Sequence, residues 1–502
     1  MTAINLRRAW LAALVLALSA QFARADDADL VKRGEYLARA GDCMACHTAP
    51  GGQPLAGGRK MDTPFGPIYT PNITPDRETG IGDWSDEDFY RAMHEGVRKD
   101  GQYLYPVFPF PWYTHVKRDD VLATKAYLFS LKPVHAPDKA PGFAFPFNIR
   151  ATLLTWRTLF FKAGNPDAQM TRGAYLVEGL GHCGECHNRR NVLGASDWSG
   201  KYEGGEIEGW YAPNITSDGR QGVGAWSADE IAKFLKTGVG PHSAIALGPM
   251  QETIDDSLRY LTDDDLQAIA AYLKSVKPKE TFSNSQGGFA RSGAPGEALY
   301  QSHCASCHGL KGEGSPGHVP ALAHNGAVVA RGPQDVIRVV LGGLTPKQGL
   351  APMPAIGADL SDAEVANIAD YVRNSFGNAA PAATKPAEVA ALRAKVRTPM
   401  LAAARSDCDS PRTRQVQALA AAGAVEKIAE GDQTALLPSI DALVAKLAPT
   451  DSKQADAFVA DLAGAYCQAL FEGKPAAERT RADKLGRFAS LVYSRMQTGL
   501  AR

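Results

Sequence analysis

The chain has 502 residues, 45% of them hydrophobic, which is ample for three or four packed domains. Lys and Arg number 54, as do Asp and Glu, and this balance argues against nucleic acid as a partner. Beyond the N-terminus no stretch reaches the roughly 18 consecutive apolar residues that a membrane-spanning helix needs.

Residues 1–25 read as a secretory signal peptide. The basic start MTAINLRR leads into the apolar run AWLAALVLALSA, and Ala23-Arg24-Ala25 supplies a small-x-small cleavage site. Cleavage there removes Arg7, Arg8 and Arg24 and no acid, leaving 51 basic and 54 acidic residues. The expected address is the periplasm, free or attached to the outer face of the inner membrane.

Next in the chain comes Cys43-Met44-Ala45-Cys46-His47. The same spacing returns at Cys183-Gly184-Glu185-Cys186-His187 and at Cys304-Ala305-Ser306-Cys307-His308. Two thiols three positions apart on one helical turn can add across the two vinyl groups of a haem, and the following His then faces the iron. A redox dithiol does not require that His, and zinc would need a second ligand pair at suitable spacing. The motifs therefore read as sites for three covalently bound haem c groups, with iron held by His47, His187 and His308.

The chain repeats itself around these motifs. RGEYLARAGDCMACH (33–47) matches RGAYLVEGLGHCGECH (172–187), and PNITPDRETGIGDWS (71–85) matches PNITSDGRQGVGAWS (213–227). The two Asn-Ile-Thr triplets fit a glycosylation sequon, but their repeat position points to a loop beside each haem. Ser85 with Asp88 and Ser227 with Glu230 predict capped helices that run to Gly96-Val97 and Gly238-Val239. A final amphipathic helix follows in each repeat, over 116–130, 261–275 and 360–374, the last capped by Ser361 with Glu364. The expected fold is all-α, with three tandem class I cytochrome c domains at 26–135, 169–280 and 290–378. An aromatic, Pro-rich segment (136–168) joins the first two, and a linker (379–390) leads to a helical C-terminal domain (391–502).

Such a domain usually supplies a second axial ligand, most often a Met from the loop before the last helix. Met250, twelve residues beyond Gly238, and Met353, seven before Leu360, fill that place in the second and third domains. Twelve residues beyond Gly96 stands Phe108, inside LYPVFPFPW (104–112). A phenyl ring cannot coordinate iron, so the first haem is expected to differ in ligand set. Met61, Met93, His94 and His115 are the nearby alternatives, and an open sixth position is another.

With these residues in view, the chain resembles the triheme cytochrome c subunits of bacterial membrane-associated alcohol, aldehyde and gluconate dehydrogenases, over about residues 30–376. The resemblance rests on the three CxxCH motifs, TPFGPIYTPNITPD (63–76), the LYPVFPFPWYT loop and AFPFNIRATLLTWRTLFF (144–161). It implies electrons received from a catalytic subunit with a flavin, quinone or molybdenum cofactor and passed to quinone or a terminal oxidase. Members commonly carry Met in the first loop. This chain has YPVFP there, so no Met ligand carries over to the first haem.

Segment 144–161 reads as an interdomain brace, with a membrane-surface or docking helix as the alternative. Beyond 390, Cys408 and Cys467 are expected to form a disulfide. Closing that 59-residue loop is worth roughly 4 kcal/mol in the chain-entropy model. A last basic helix carries Leu485, Phe488, Leu491 and Val492 on one side, with Lys484, Arg487 and Arg495 elsewhere. It can pack on its own bundle or lie on a membrane. No GxGxxG follows a strand, so chemistry on an organic substrate is expected on a partner. A free-standing electron carrier, and a haem enzyme using an open first haem with His94 or His115, remain the alternatives.

Overall fold

The computed structural model describes residues 27–279 and 293–344. From there to 471 it describes all but 345–349, 351–352, 354, 359, 381–382, 397–410, 412, 431–435 and 448–451, and then 488, 491–492 and 495–496. The signal peptide expected over 1–25, Cys408, Lys484, Leu485 and Arg487 lie outside these residues.

In the first repeat, helix α1 (27–40) meets α2 (Cys43–His47) through a tight turn in which Asp42 has φ 54°. Strands β1 (Lys60–Thr63) and β2 (Gly66–Tyr69) form an antiparallel hairpin. Helix α3 (Asp86–Glu95) opens on the Ser85/Asp88 capping box and stops at Gly96, whose φ of 64° suits a residue without Cβ. Helices α4 (Phe110–Tyr113), α5 (Arg118–Ser130) and α6 (Thr152–Phe160) follow. The second repeat holds α7 (Arg172–Tyr175), a wide helical turn to Leu180, and α8 (Gly184–His187). It continues with the hairpin β3 (Gly205–Ile207) and β4 (Trp210–Ala212), then α9 (Ala228–Thr237), α10 (Gly248–Asp256) and α11 (Asp263–Ser275).

The third repeat contributes α12 (Pro295–His303), α13 (Ala305–His308), α14 (Gly326–Val329), α15 (Gln334–Gly342) and α16 (Asp362–Asn374), the last opened by the Ser361/Glu364 capping box. Residues 386–390, expected as linker, belong instead to α17 (Pro386–Arg393). Its Val389 and Leu392 are buried among Ile337, Val340 and Val365. Ala, Glu and Leu behind a Pro at the first turn are helix-forming residues, and an apolar stripe was available to cover. Helices α18 (Arg414–Ala421), α19 (Ala424–Glu430), α20 (Leu436–Val444) and α21 (Ser452–Phe471) build a separate apolar cluster. Phe488, Leu491 and Val492 are buried in it, with Phe488 stacked on Tyr466 at 4.0 Å, so these residues pack on their own bundle. Cys467 is disulfide-bonded. No helix among the described residues is long and apolar enough to cross a membrane.

The chain divides into two compact units. One takes the described residues up to Glu203 with Ser227–Thr237 and Gly248–Lys279; the other takes Gly204–Trp226, Gly238–Leu247 and the described residues beyond. The second repeat thus contributes to both. Its hairpin β3–β4 sits on α15, where Tyr211 N–H donates to Asp335 at 2.8 Å.

One contact recurs in every repeat. A Cβ added at Gly34 would stand 1.9 Å from the carbonyl oxygen of Ala123 and 2.9 Å from Tyr127 Cβ. Gly173 meets Ala268 and Tyr272 at 2.0 and 2.8 Å, and Gly296 meets Asn367 and Tyr371 at 2.1 and 2.6 Å. The first helix of each repeat therefore crosses the last one backbone to backbone.

Segment 144–161 has two faces. Leu153 is buried, Phe110 contacts Phe161 at 4.8 Å, and Arg157 donates to the carbonyl of Glu95, which makes the inner face a brace. Leu154 and Leu159 on the other face are exposed.

Gly34→Ala or Gly173→Ala should destabilise the fold by about 1–3 kcal/mol through overpacking, whereas Gly219→Ala, with nothing near its Cβ, should not; urea unfolding midpoints check this. Asp335 makes a second case. Burial pushes its carboxyl up to about 7, opposed by the Tyr211 N–H and by Arg338. The folded chain keeps that proton where the unfolded chain has released it, so stability falls as pH rises between about 4 and 7, by about 1.4 kcal/mol per unit of displacement. Asp335→Asn should gain stability over the natural chain at pH 8 and lose that advantage at pH 4, as read from urea midpoints at the two pH values.

Candidate haem sites

Each CxxCH motif occupies a short turn of helix behind the first helix of its repeat. Cys43, Cys46 and His47 lie in α2; Cys183 caps α8, which holds Cys186 and His187; Cys304 caps α13, which holds Cys307 and His308. One turn puts the two sulfurs of a motif on the same side, as double thioether attachment requires. Burial pushes the thiols of Cys43, Cys183, Cys186 and Cys304 up to about 12, and that of Cys46 upward too. Such neutral thiols are unlike the thiolate of a working redox dithiol.

The histidines are set for coordination. His47 Nδ1 lies 2.8 Å from the carbonyl oxygen of Pro71, and His308 Nδ1 lies 3.0 Å from that of Pro320. A carbonyl only accepts, so Nδ1 carries the proton and Nε2 keeps its lone pair. Burial lowers the pKa of both rings, which holds them neutral. His187 is buried as well. The donor sets fit a haem: each motif pairs two sulfurs with one imidazole, and in the first and third the Nδ1 bond leaves Nε2 to face the iron.

The loop that carries Pro71 is shaped by the residue after it. Asn72 Oδ1 accepts from the N–H and hydroxyl of Thr74 at 2.9 and 2.8 Å, while its Nδ2 donates to Val134 O at 2.7 Å. Asn214 holds Thr216 in the same way. Both Asn side chains are buried, which suits a loop-shaping role and not a glycan acceptor.

The sixth-position candidates fall out as follows. Leu104 N–H donates to Gly96 O at 2.8 Å, and Ala246 N–H donates to Gly238 O at 2.9 Å. The two loops thus share one register, and Phe108 stands where Met250 stands. Met250 lies inside α10 and not in a loop; Gly248-Pro249 opens that helix, since Pro suits its first turn. Met353 pairs its backbone with Leu344 at 2.8 Å in both directions, and its side chain lies against the apolar cluster of α15–α17. Phe108 rests on Tyr113, ring centroids 5.5 Å apart. Among the alternatives for the first site, Met61 lies in β1 opposite Ile68 and Met93 is buried in α3. His94 stacks on Tyr90 at 5.1 Å, and His115 packs on Gly164.

Sequence reasoning missed several residues around the first two motifs. Tyr113 donates to Gly41 O at 2.7 Å, two residues before Cys43, and its ring meets that of His182 at 5.4 Å. Trp112 N–H donates to Glu185 at 3.0 Å inside the second motif. Asp120 accepts from Arg33 of its own repeat and from Tyr175 of the other, both at 2.5 Å. Asp265 reciprocates, accepting from Arg172 at 2.6 Å and Tyr36 at 2.5 Å. The matched pair RGEYL and RGAYL was the available signal.

Comparison with known proteins gives the site its context. Residues 293–376 match the cytochrome c family model. The chain is 42% identical to the gluconate 2-dehydrogenase cytochrome c subunit of Pantoea cypripedii over 418 residues, 76% of this chain and 94% of that protein. It is 38% identical to the cytochrome c subunit of the quinone-type alcohol dehydrogenase of Gluconobacter oxydans, covering 78% and 88%. It is 40% identical to the fructose dehydrogenase cytochrome subunit of Gluconobacter japonicus, covering 70% and 80%. The chain belongs to the family of cytochrome c subunits of bacterial dehydrogenases.

Proposed function

We propose that this chain is a periplasmic triheme electron-transfer subunit. It takes electrons from a catalytic dehydrogenase that oxidises an alcohol, an aldehyde or a sugar acid, and delivers them to quinone or a terminal acceptor. The observation that carries the reading is the threefold CxxCH motif on short helical turns, with Nδ1 of His47 and of His308 tied to a proline carbonyl. The relatives, named as subunits of gluconate, alcohol and fructose dehydrogenases, support the partner class.

In this reading Cys43 and Cys46, Cys183 and Cys186, and Cys304 and Cys307 hold three haem c groups, with His47, His187 and His308 as proximal ligands. When bound, each haem supplies one-electron chemistry at its iron. Met250 and Met353 give the second and third sites a thioether, which favours ferrous iron. The first site, with Phe108 in that register, has a different sixth ligand or none. The protein's work is to orient the His47 and His308 imidazoles through their Nδ1–H groups and to keep those two rings neutral by burial.

Covalent haem counted by mass spectrometry should give three per chain, falling to two in a Cys43→Ser, Cys46→Ser double variant. Native purification should bring a flavin, quinone or molybdenum subunit in stoichiometric yield, with its substrate reducing these haems. A chain that arrives alone and is not reduced by alcohols, aldehydes or sugar acids counts against the proposal. Phe108→Met should raise the methionine–iron charge-transfer absorption from two sites' worth to three. An unaltered band in a fully loaded variant would show that position 108 does not face the iron.

A further inference from the structure

The first two repeats exchange contacts reciprocally. Helix α4, which follows Phe108, is bonded into the attachment motif of the second repeat. Trp112 donates to Glu185 at 3.0 Å, and its ring lies so near Gly184 that a Cβ there would stand 2.2 Å away. Helix α10, which holds Met250, is bonded around the motif of the first repeat. Thr253 donates to Asp42 at 3.0 Å, and Arg39 donates to the main-chain oxygen of Asp256 at 3.2 Å. Arg59 ties Glu252, at 2.5 Å, to the carbonyl of Ala45 inside Cys43–His47, at 2.8 Å. The third motif makes a different kind of contact: Cys307 packs against the cluster of α18–α21.

We propose that α4 and α10 are reciprocal positioning elements, so that the first two haem sites respond to one another's state as a coupled pair. Each helix is continuous with the sixth-ligand position of its own repeat and braces the attachment motif of the other. Trp112 and Thr253 are the positioning residues. The inference rests on the three-site reading above. A change of charge at either iron, or of ligation at the second, would act on the segment that carries the Phe108 or Met250 register of its own repeat. In each direction that segment is hydrogen-bonded to the turn from which the neighbouring haem hangs. Hydrogen bonds from Trp112 to the Glu185 carboxylate and from the Arg59 guanidinium to Glu252 and Ala45 O transmit such a change better than a solvated loop. Linkage then requires the coupling to be equal both ways.

The test is a spectroscopic redox titration of the full-length holoprotein, with covalent haem counted on the same samples. Trp112→Phe removes the indole N–H and keeps an aromatic ring; Thr253→Val removes the hydroxyl and keeps the shape. Trp112→Phe, a change in the first repeat, should lower the potential of one methionine-ligated haem, because Glu185 loses a donor and its charge then favours ferric iron. The size expected is up to about tenfold in the reduction equilibrium, about 59 mV for a one-electron couple. Thr253→Val, a change in the second repeat, should move the haem that lacks the methionine–iron band. Potentials unmoved in both variants at three haems per chain, or shifts confined to each variant's own repeat, overturn the inference. Fewer than three covalent haems in the natural chain overturns the three-site reading instead.

Discussion

A backbone approach with no room for a side chain sets the geometry of all three repeats. Gly34, Gly173 and Gly296 lie where a methyl group would overlap the carbonyl of the crossing helix. Gly inside a helix costs about 1 kcal/mol relative to Ala, so its use here is explained by the contact and not by propensity. Once that crossing is fixed, the remaining turns of the first helix deliver each CxxCH motif to the end of the same helix pair. The Pro71 and Pro320 carbonyls can then meet their histidines.

On that frame the first two repeats add something the third lacks. Asp120 and Asp265 are buried carboxylates, and each is held by a guanidinium from its own repeat and a phenol from the other. A buried charge with both kinds of partner is satisfied; with either removed it is costly. In the third repeat Pro295 and Ala298 stand where Arg33 and Tyr36 stand, and Glu364 caps α16. It therefore has neither the cation nor the phenol with which to join such an exchange. Instead, its α15 receives the β3–β4 hairpin through Asp335.

What could be read from sequence follows from where the physics is local. Two thiols and an imidazole within five residues make a local pattern, so the three motifs stand out in the sequence alone. The capped helices at Ser85, Ser227 and Ser361 were too, because a capping box is a four-residue interaction. The helix over Gly248–Asp256 departs from the loop expected around Met250, because that expectation rested on the usual place of a Met before the last helix, whereas Pro249 suits a first turn. The α17 helix was hidden by an Ala/Pro composition that suits both linker and helix. The proline carbonyls have no side-chain signature, and the exchange through Asp120 and Asp265 joins residues from 55 to 229 positions apart. Only the paired RGxYL segments hinted at it.

Phe108 belongs to this account of local and distant constraint. The loop keeps the hydrogen-bond register of the second repeat, so its altered residue is not the result of a shifted frame. What differs is the company it keeps. Phe108 lies on Tyr113, Tyr113 holds Gly41 and faces His182, and Trp112 holds Glu185. In the second repeat Ile254 and Asp255 occupy the positions of Trp112 and Tyr113. An aromatic run beginning at Phe108 therefore fills the seam between two attachment motifs, where large rigid rings bury the most surface for the fewest rotatable bonds. A flexible thioether there would pack less firmly. Phe in place of the Met of the second repeat and the loop's contact with the neighbouring motif are parts of one substitution pattern, which is why the oddity of the first repeat lies where the first two repeats meet.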